Sequence, residues 1–201
     1  MGLFTDEVLA ETSGSAQSRY LNVSKIEIDR PARIAILQSP AFSFHEVWGE
    51  SVSNPGEVKP FRFSKKPTEP EMLEYLGGSY RVREVNPEWA KVAGELERPK
   101  RVHAFTVWNF ESKQVEILSI KQKTIIDRLK ELSVTEEYAD LLAWDLQIAR
   151  ILSGGKTSYS VTPLPRKKTT ESDVEMALSE AETNGFDITR LLDNGDPFTQ
   201  G

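Results

Sequence analysis

The chain has 201 residues, of which 38% are hydrophobic, and a formal net charge of −6. It contains no cysteine and only two histidines, which excludes disulfide bonds and cysteine-ligated metals and argues against a histidine-rich metal site. No apolar run approaches the roughly 20 residues that a membrane-spanning helix needs. The composition therefore predicts a soluble protein of a reducing compartment.

Charge is distributed unevenly along the chain. Residues 169–201 carry eight acids and one base, a net charge of −7, which leaves +1 for residues 1–168. Within that body, residues 100–168 hold twelve bases and eight acids. The acidic balance of the whole chain therefore does not exclude a nucleic-acid partner, because the acids are concentrated at one end.

The first half of the chain predicts short strands. Residues 1–19 are polar and small, and we expect a flexible segment there, with a folded domain over residues 20–168. Period-2 alternation in KIEID, ARIAIL and AFSFHEVWG indicates strands. We assign the first two strands of a barrel to residues 25–50 and treat residues 51–99 as an insertion.

The second half has a clearer pattern. A hairpin is predicted over RVHAFTVWNF-ESKQ-VEILSIK, and we place the third barrel strand in the region 101–120. A helix follows with an apolar stripe, and a second hairpin turns at Gly154-Gly155. Strands, one main helix and a closing hairpin are the order of an OB-fold. The predicted fold is thus mostly β, a five-stranded Greek-key barrel with an insertion. The helical stripe consists of Ile125, Ile126, Leu129 and Leu132.

The acidic end has a different character. Residues 169–201 are weakly helical around 172–182 and contain too few large apolar side chains for a core of their own. They are predicted to form a largely disordered tail.

Aromatic and basic residues occur together in several segments. Single-stranded nucleic acids are held by bases stacked on aromatic faces and by cations along the phosphates. Trp144 and Phe105 share faces with aliphatic residues and are assigned to the core. The other aromatics could also be core residues, and the cations could be ordinary surface charge. The predicted nucleic-acid-binding residues are Phe61, Arg62, Lys65, Lys66, Trp108, Phe110, Lys113, Lys121, Lys123, Arg150, Lys156, Tyr159, Arg166 and Lys167.

Catalytic signatures are not found. The chain has no GxxxxGKS, HExxH or GxSxG motif and no carboxylate cluster with metal-ligand spacing. Glu136, Glu137 and Asp140 fit a solvated connector. We therefore expect a protein that is not an enzyme and that needs no cofactor and no metal.

The segments AFTVWNFESKQVEILSIKQKTIIDRLKEL and WDLQIARILSGGKTSYSVTPLPRKK carry a resemblance. They are similar to the OB-fold single-stranded DNA-binding proteins of tailed bacteriophages, over about residues 100–168. The resemblance implies a protein that protects single-stranded DNA in phage replication, recombination or repair, in the cytoplasm of an infected bacterial host. It also implies possible cooperative self-association on DNA. Some relatives carry a cysteine-rich zinc loop, which this cysteine-free chain does not share.

The end of the chain also resembles the acidic tips of bacterial and phage single-strand binders. In such proteins a D-x-P-F or a terminal acidic-Phe motif recruits replication partners. We expect the acidic tail of this chain to compete with DNA for the cationic groove as well. The resemblance therefore implies a partner-binding tip, although Thr199, Gln200 and Gly201 follow the phenylalanine here. The corresponding residues are Asp193, Asp196, Pro197 and Phe198. Two alternatives remain open: a non-catalytic OB-type interaction or structural module, and a binder of RNA or duplex.

Overall fold

The computed structural model describes residues 19–50, 58–76 and 98–199. The predicted flexible segment, apart from Arg19, lies outside these ranges, as does most of the predicted insertion. The described residues are mostly β and form one mixed, open sheet of eight strands with three α-helices. None of these helices is long and apolar enough to cross a membrane.

The described strands occur in groups along the chain, and one α-helix follows each group. The strands are β1 (Tyr20–Leu21), β2 (Ala32–Ile36), β3 (Phe42–Glu50), β4 (Val58–Phe63), β5 (Lys100–Asn109), β6 (Gln114–Ile120), β7 (Trp144–Ser153) and β8 (Lys156–Pro165). The helices are α1 (Glu69–Leu76), α2 (Lys123–Val134) and α3 (Lys168–Thr183). The prediction of one main helix is thus corrected to three.

Strand β5 is the centre of the sheet. The hydrogen-bonded order is β1-β6-β5-β2-β7-β8, and β3 pairs with both β5 and β4. Among the described strands, only β1 runs parallel to its neighbour. β2 and β3 lie along the same edge of β5: Ile36 is opposite Val107, whereas Phe42 is opposite Ala104. Three extra residues are therefore accommodated between the two strands.

This topology changes the strand assignment made from the sequence. We expected barrel strands 1 and 2 in residues 25–50 and strand 3 in 101–120. The structure instead aligns β2 and β3 end to end as one interrupted strand, and it takes the next two strands, β5 and β6, from the 101–120 region. Short-range alternation locates strands but does not reveal which edge each strand joins. No described pairing links β6 to β8, so a closed barrel is not formed by the described strands.

The main core lies on one face of the sheet beneath α2. The alternating residues Ile34, Val107, Leu146 and Ile148 are buried there together with residues of α2. The predicted stripe of the helix is confirmed, since Ile125 and Leu132 are buried and Ile126 and Leu129 pack against the same cluster. Phe105 packs there too, as predicted.

A second core occupies the opposite face and involves the acidic end of the chain. Phe44, Val102, Ala104 and Ile117 of the sheet are covered by apolar residues of the C-terminal segment. The expectation of a largely disordered tail therefore differs from the structure, which has α3 and a docked segment after it. The tail lacks a core of its own, but it shares one with the sheet. The covering residues are Leu178, Ala181, Phe186, Ile188, Leu191, Leu192 and Phe198.

Candidate nucleic-acid interface

The face of the sheet opposite the main core carries polar and aromatic side chains where it is not covered by the C-terminal segment. Side chains alternate across a strand, so Arg33 of β2, Trp108 of β5 and Asp145 of β7 lie opposite the buried residues that flank them. The main-chain N–H of Phe110 donates to the carbonyl of Arg33, which places the two residues side by side. We call Arg33, Trp108, Phe110, Asp145 and Arg166 the outer-face cluster.

Asp145 fixes two arginines within this cluster. Its side chain is fully buried, and it accepts hydrogen bonds from Nε of Arg33 and Nε of Arg166, each at 3.0 Å. Arg166 also donates from Nη2 to the carbonyl of Trp144 at 3.2 Å. The two guanidinium side chains remain 28% and 13% exposed. Because one carboxylate serves two cations, the cluster retains an excess positive charge in a fixed geometry.

Phe110 lies against one of these arginines. The guanidinium carbon of Arg33 is 5.0 Å from the centroid of the Phe110 ring, within the range of a cation–π contact. An aromatic face with a held guanidinium beside it can offer a base a stacking surface and a phosphate a donor. Arg33 was not predicted from the sequence. Its partner Asp145 is 112 positions away, so only the sheet register reveals the pair.

Trp108 is half-buried at the edge of α3. A cavity of about 420 Å³ is bounded by Trp108 and Val115 from the sheet and by Ala177, Glu180 and Ala181 of the helix. The helix begins after β8 and reaches the second core at its other end. The acidic α3 therefore borders the face that bears Trp108.

The β7–β8 hairpin extends beyond the rest of the sheet. β2 pairs with β7 only as far as Ile148, whereas β7 and β8 remain paired up to Ser153 and Lys156. Arg150 lies opposite Tyr159 in this two-stranded ribbon, and Lys156 is exposed at its turn. Tyr159 packs against the main core. Strand alternation places Lys156 on the side of the outer face, whereas Arg150 shares the main-core side with Tyr159, and its Nε is buried without a hydrogen-bond partner among the described residues.

Two other predicted cations are bound internally. The buried carboxylate of Glu46 accepts hydrogen bonds from Nζ of Lys121, from Nε1 of Trp48 and from Nε of Arg62. Arg62 also donates to the carbonyl of Leu191 at 2.9 Å. Burial favours a raised pKa for Glu46, but these donors outweigh it and hold the pKa below its usual range. Arg62 and Lys121 are therefore placed to stabilise the fold.

The remaining predicted residues are dispersed. Phe61 is only 8% exposed and packs with Val47 and Met72 in a third small cluster, so its ring does not offer a free stacking face. The other predicted lysines are exposed in different places. Lys65 and Lys66 follow β4, Lys113 lies in the β5–β6 turn, Lys123 begins α2 and Lys167 precedes α3.

The predicted partner-binding tip packs against the protein itself. The Phe198 ring lies 5.0 Å from the Phe186 ring, and the Arg19 guanidinium is 4.9 Å from the Phe198 centroid. The main-chain N–H of Phe198 donates to the Asp196 carboxylate at 3.0 Å, and the carbonyl of the buried Pro197 accepts from the N–H of Asp187. Asp193 is exposed. A partner could reach Phe198 fully only after this contact opens.

Comparison with known proteins gives no further information about this candidate interface. No protein-family model matches the chain, and neither a curated protein nor a solved structure does. Within residues 19–50, 58–76 and 98–199, no group of three acidic or histidine side chains is arranged to hold a metal ion.

Proposed function

We propose that the protein binds single-stranded DNA through its outer face and serves phage DNA replication, recombination or repair in the cytoplasm of an infected bacterium. The observation that carries the proposal is the outer-face cluster: Asp145 holds Arg33 and Arg166, Phe110 lies against Arg33, and Trp108 shares the face of the sheet with Arg33 and Asp145. Stacking surfaces with adjacent fixed cations are what sequence-tolerant single-strand binding needs.

The strand order supports an OB-type architecture for this binding. The path β6-β5-β2-β7-β8, with α2 between β6 and β7 in the chain, is compatible with a partly open five-stranded barrel whose helix precedes the last hairpin. OB-folds bind oligonucleotides on the face of strands 2 and 3 and with the loop of the last hairpin. In this chain those elements are β5, β6 and the β7–β8 ribbon, which carry Trp108 and Lys156.

The C-terminal segment acts as an internal competitor in this proposal. Helix α3 has 16 residues and is therefore about 24 Å long, comparable to the width of five strands spaced about 4.8 Å apart. It carries acidic residues past Trp108 and ends at the second core. DNA that occupies the whole outer face has to displace it, and displacement would free Phe198 for replication partners.

Phe110 provides the direct test. Replacing Phe110 by Ala should weaken binding of a dT oligonucleotide by about 1–3 kcal/mol, the loss measured for a stacked base. Intrinsic tryptophan fluorescence reports the binding, and Phe110→Tyr is the matched control because it keeps a stacking ring. If Phe110→Ala folds normally and binds dT as the parent does, Phe110 does not stack a base.

The same titration separates the alternatives. Quenching by dT at low salt, weakened at higher salt, supports single-stranded DNA binding. Equal or stronger quenching by rU, or by a DNA duplex, would reassign the ligand. No response to any nucleic acid would favour an interaction module, for which the exposed Ile151 and Leu152 of the ribbon offer an apolar contact.

A further inference from the structure

A second basic surface lies on the opposite side of β5 from the outer-face cluster. The register of β3 against β5 places His45 opposite Arg101 and Ser43 opposite His103. Residues two apart on a strand share a face, so these four side chains point the same way. Phe44 and Val102, which lie between them, point into the second core instead.

Cations from two other elements complete this surface. Lys66, in the loop after β4, acts electrostatically on His45, and Lys130 of α2 acts on His103. Arg101 acts on both imidazoles. We call the set of His45, Lys66, Arg101, His103 and Lys130 the basic arm surface.

The charges of this surface are not neutralised by the described residues. Within that part of the chain, the side chains of Lys66, Arg101 and Lys130 are exposed and form no ion pair and no hydrogen bond. Burial, and then the neighbouring cations, lower the pKa of both imidazoles, and no carboxylate acts on either one. The three unpaired cations therefore make the local potential attractive to anions.

The two imidazoles differ in the surroundings of Nδ1. Nδ1 of His45 is buried and has no hydrogen-bond partner among the described residues. Nδ1 of His103 lies 2.8 Å from the hydroxyl of Ser43. A bound phosphate would provide a counter-charge to the cations. It would also raise the pKa of the imidazoles, because an adjacent negative charge favours the charged form.

We propose that the basic arm surface binds the phosphates of a nucleic-acid strand that continues beyond the outer-face cluster. The proposal rests on the proposed function and adds a second contact region to it. Trp108 and Arg101 are seven residues apart on β5, about 23 Å at the rise of a strand. A short oligonucleotide on the outer face would not reach Arg101, whereas a long one that follows the edge of the sheet would.

Oligonucleotide length and salt test the contact. Arg101→Gln is expected to leave binding of a dT oligonucleotide of about 6 nucleotides unchanged and to weaken one of about 16, near the ends of the range for single OB-folds. The salt dependence of the longer oligonucleotide should fall by about 0.7 in slope, the value for one lost phosphate contact on a single strand. Lys25→Gln, an exposed lysine elsewhere, is the control and should change neither value.

A second measurement does not require DNA binding. The chain has only two histidines, so His103→Gln identifies the His45 resonance by NMR. Inorganic phosphate should raise the pKa of the His45 imidazole in the parent and less in Arg101→Gln.

The outcomes distinguish this inference from the proposed function. An unchanged long-oligonucleotide affinity in Arg101→Gln, together with an unshifted imidazole pKa, overturns the basic arm surface while DNA binding stands. Failure of the parent to bind any oligonucleotide overturns the proposed function and, with it, the DNA contact. A phosphate-dependent imidazole shift would then support only an anion site.

Discussion

Two buried carboxylates organise much of the fixed positive charge in the described residues. Asp145 holds Arg33 and Arg166 on the outer face, and Glu46 holds Lys121 and Arg62 at the junction of β3, β4 and β6. The cations bound to the two carboxylates differ in their exposure and in their other contacts. Arg33, bound to Asp145, keeps a partly exposed guanidinium beside the Phe110 ring, whereas Arg62, bound to Glu46, also donates to the C-terminal segment.

Glu46→Gln should destabilise the protein by about 2 kcal/mol at neutral pH. The substitution removes the charge that Lys121 and Arg62 share and leaves two cations close together. Urea unfolding measures the loss. Glu131→Gln is the control, since Glu131 forms an exposed pair with Arg128 and such pairs contribute little.

The pH dependence of the same variant follows from the lowered pKa of Glu46. A depressed folded-state pKa contributes stability that is fully present above the unfolded value, near 4.5, and is lost as pH falls through the folded value. Glu46→Gln should therefore be closest to the parent at the acid end of that window and furthest from it at neutral pH. A difference that stays constant between these limits would contradict the assignment.

At the scale of single residues, the sequence predicted the face of a strand on which a side chain lies. It did not predict the distant residue that a side chain contacts. Alternation put Trp108 and Phe110 on one face and Phe105 on the other, because that depends only on local geometry. The roles of Arg62 and Lys121 depend on Glu46, which is 16 and 75 positions away. Nothing local to either cation identifies that partner.

At the scale of elements, the β7–β8 turn is fixed by backbone conformation. Gly154 and Gly155 have φ values of 55° and 76°, and a Cβ built on either would meet nothing within 4 Å. Replacement of either glycine by a residue with a side chain is therefore disfavoured by the backbone conformation and not by steric contact. Such a turn, with positive φ at both central residues, accepts Asn more readily than other residues.

Gly154→Val should cost about 1–2 kcal/mol of unfolding free energy, because a branched side chain is strained in the left-handed region. Gly154→Asn should cost much less and serves as the control. Thermal unfolding of both variants measures the difference. Equal stability of the two would mean that the turn adopts another conformation.

The elements also show where composition misleads. The stripe of α2 was predictable because four apolar residues recur at helical spacing within eight positions. The C-terminal segment looked disordered because its apolar residues are few and widely spaced. They suffice here because the sheet presents Phe44, Val102 and Ile117 on its second face, which the segment covers.

At the scale of the whole molecule, the docked acidic segment should oppose DNA binding. Phe198→Ala removes the ring that packs on Phe186 and Arg19, a half-buried contact of about 1–2 kcal/mol. We expect tighter dT binding, by up to about tenfold, with the gain largest at low salt. Deleting residues 169–201 should act in the same direction, but it also exposes the second core.

Displacement of α3 can be followed directly. The chain has no cysteine, so Ser179→Cys, on an exposed position of α3, accepts a single fluorescent label. The label should become more mobile when dT is added. Met176→Ala, also exposed on α3, is the control for affinity. If the label is mobile in Phe198→Ala but the affinity for dT is unchanged, release of the C-terminal segment does not affect DNA binding.

Strand β5 is hydrogen-bonded along both edges, to β6 on one side and to β2 and β3 on the other. It also contributes to the cores on both faces of the sheet, through Val107 on one and Val102 and Ala104 on the other. Local opening of this strand must break pairs on two sides and uncover two interiors at once. The free energy of opening β5 therefore approaches that of global unfolding. This strand links the cores on the two faces of the sheet into one cooperative unit.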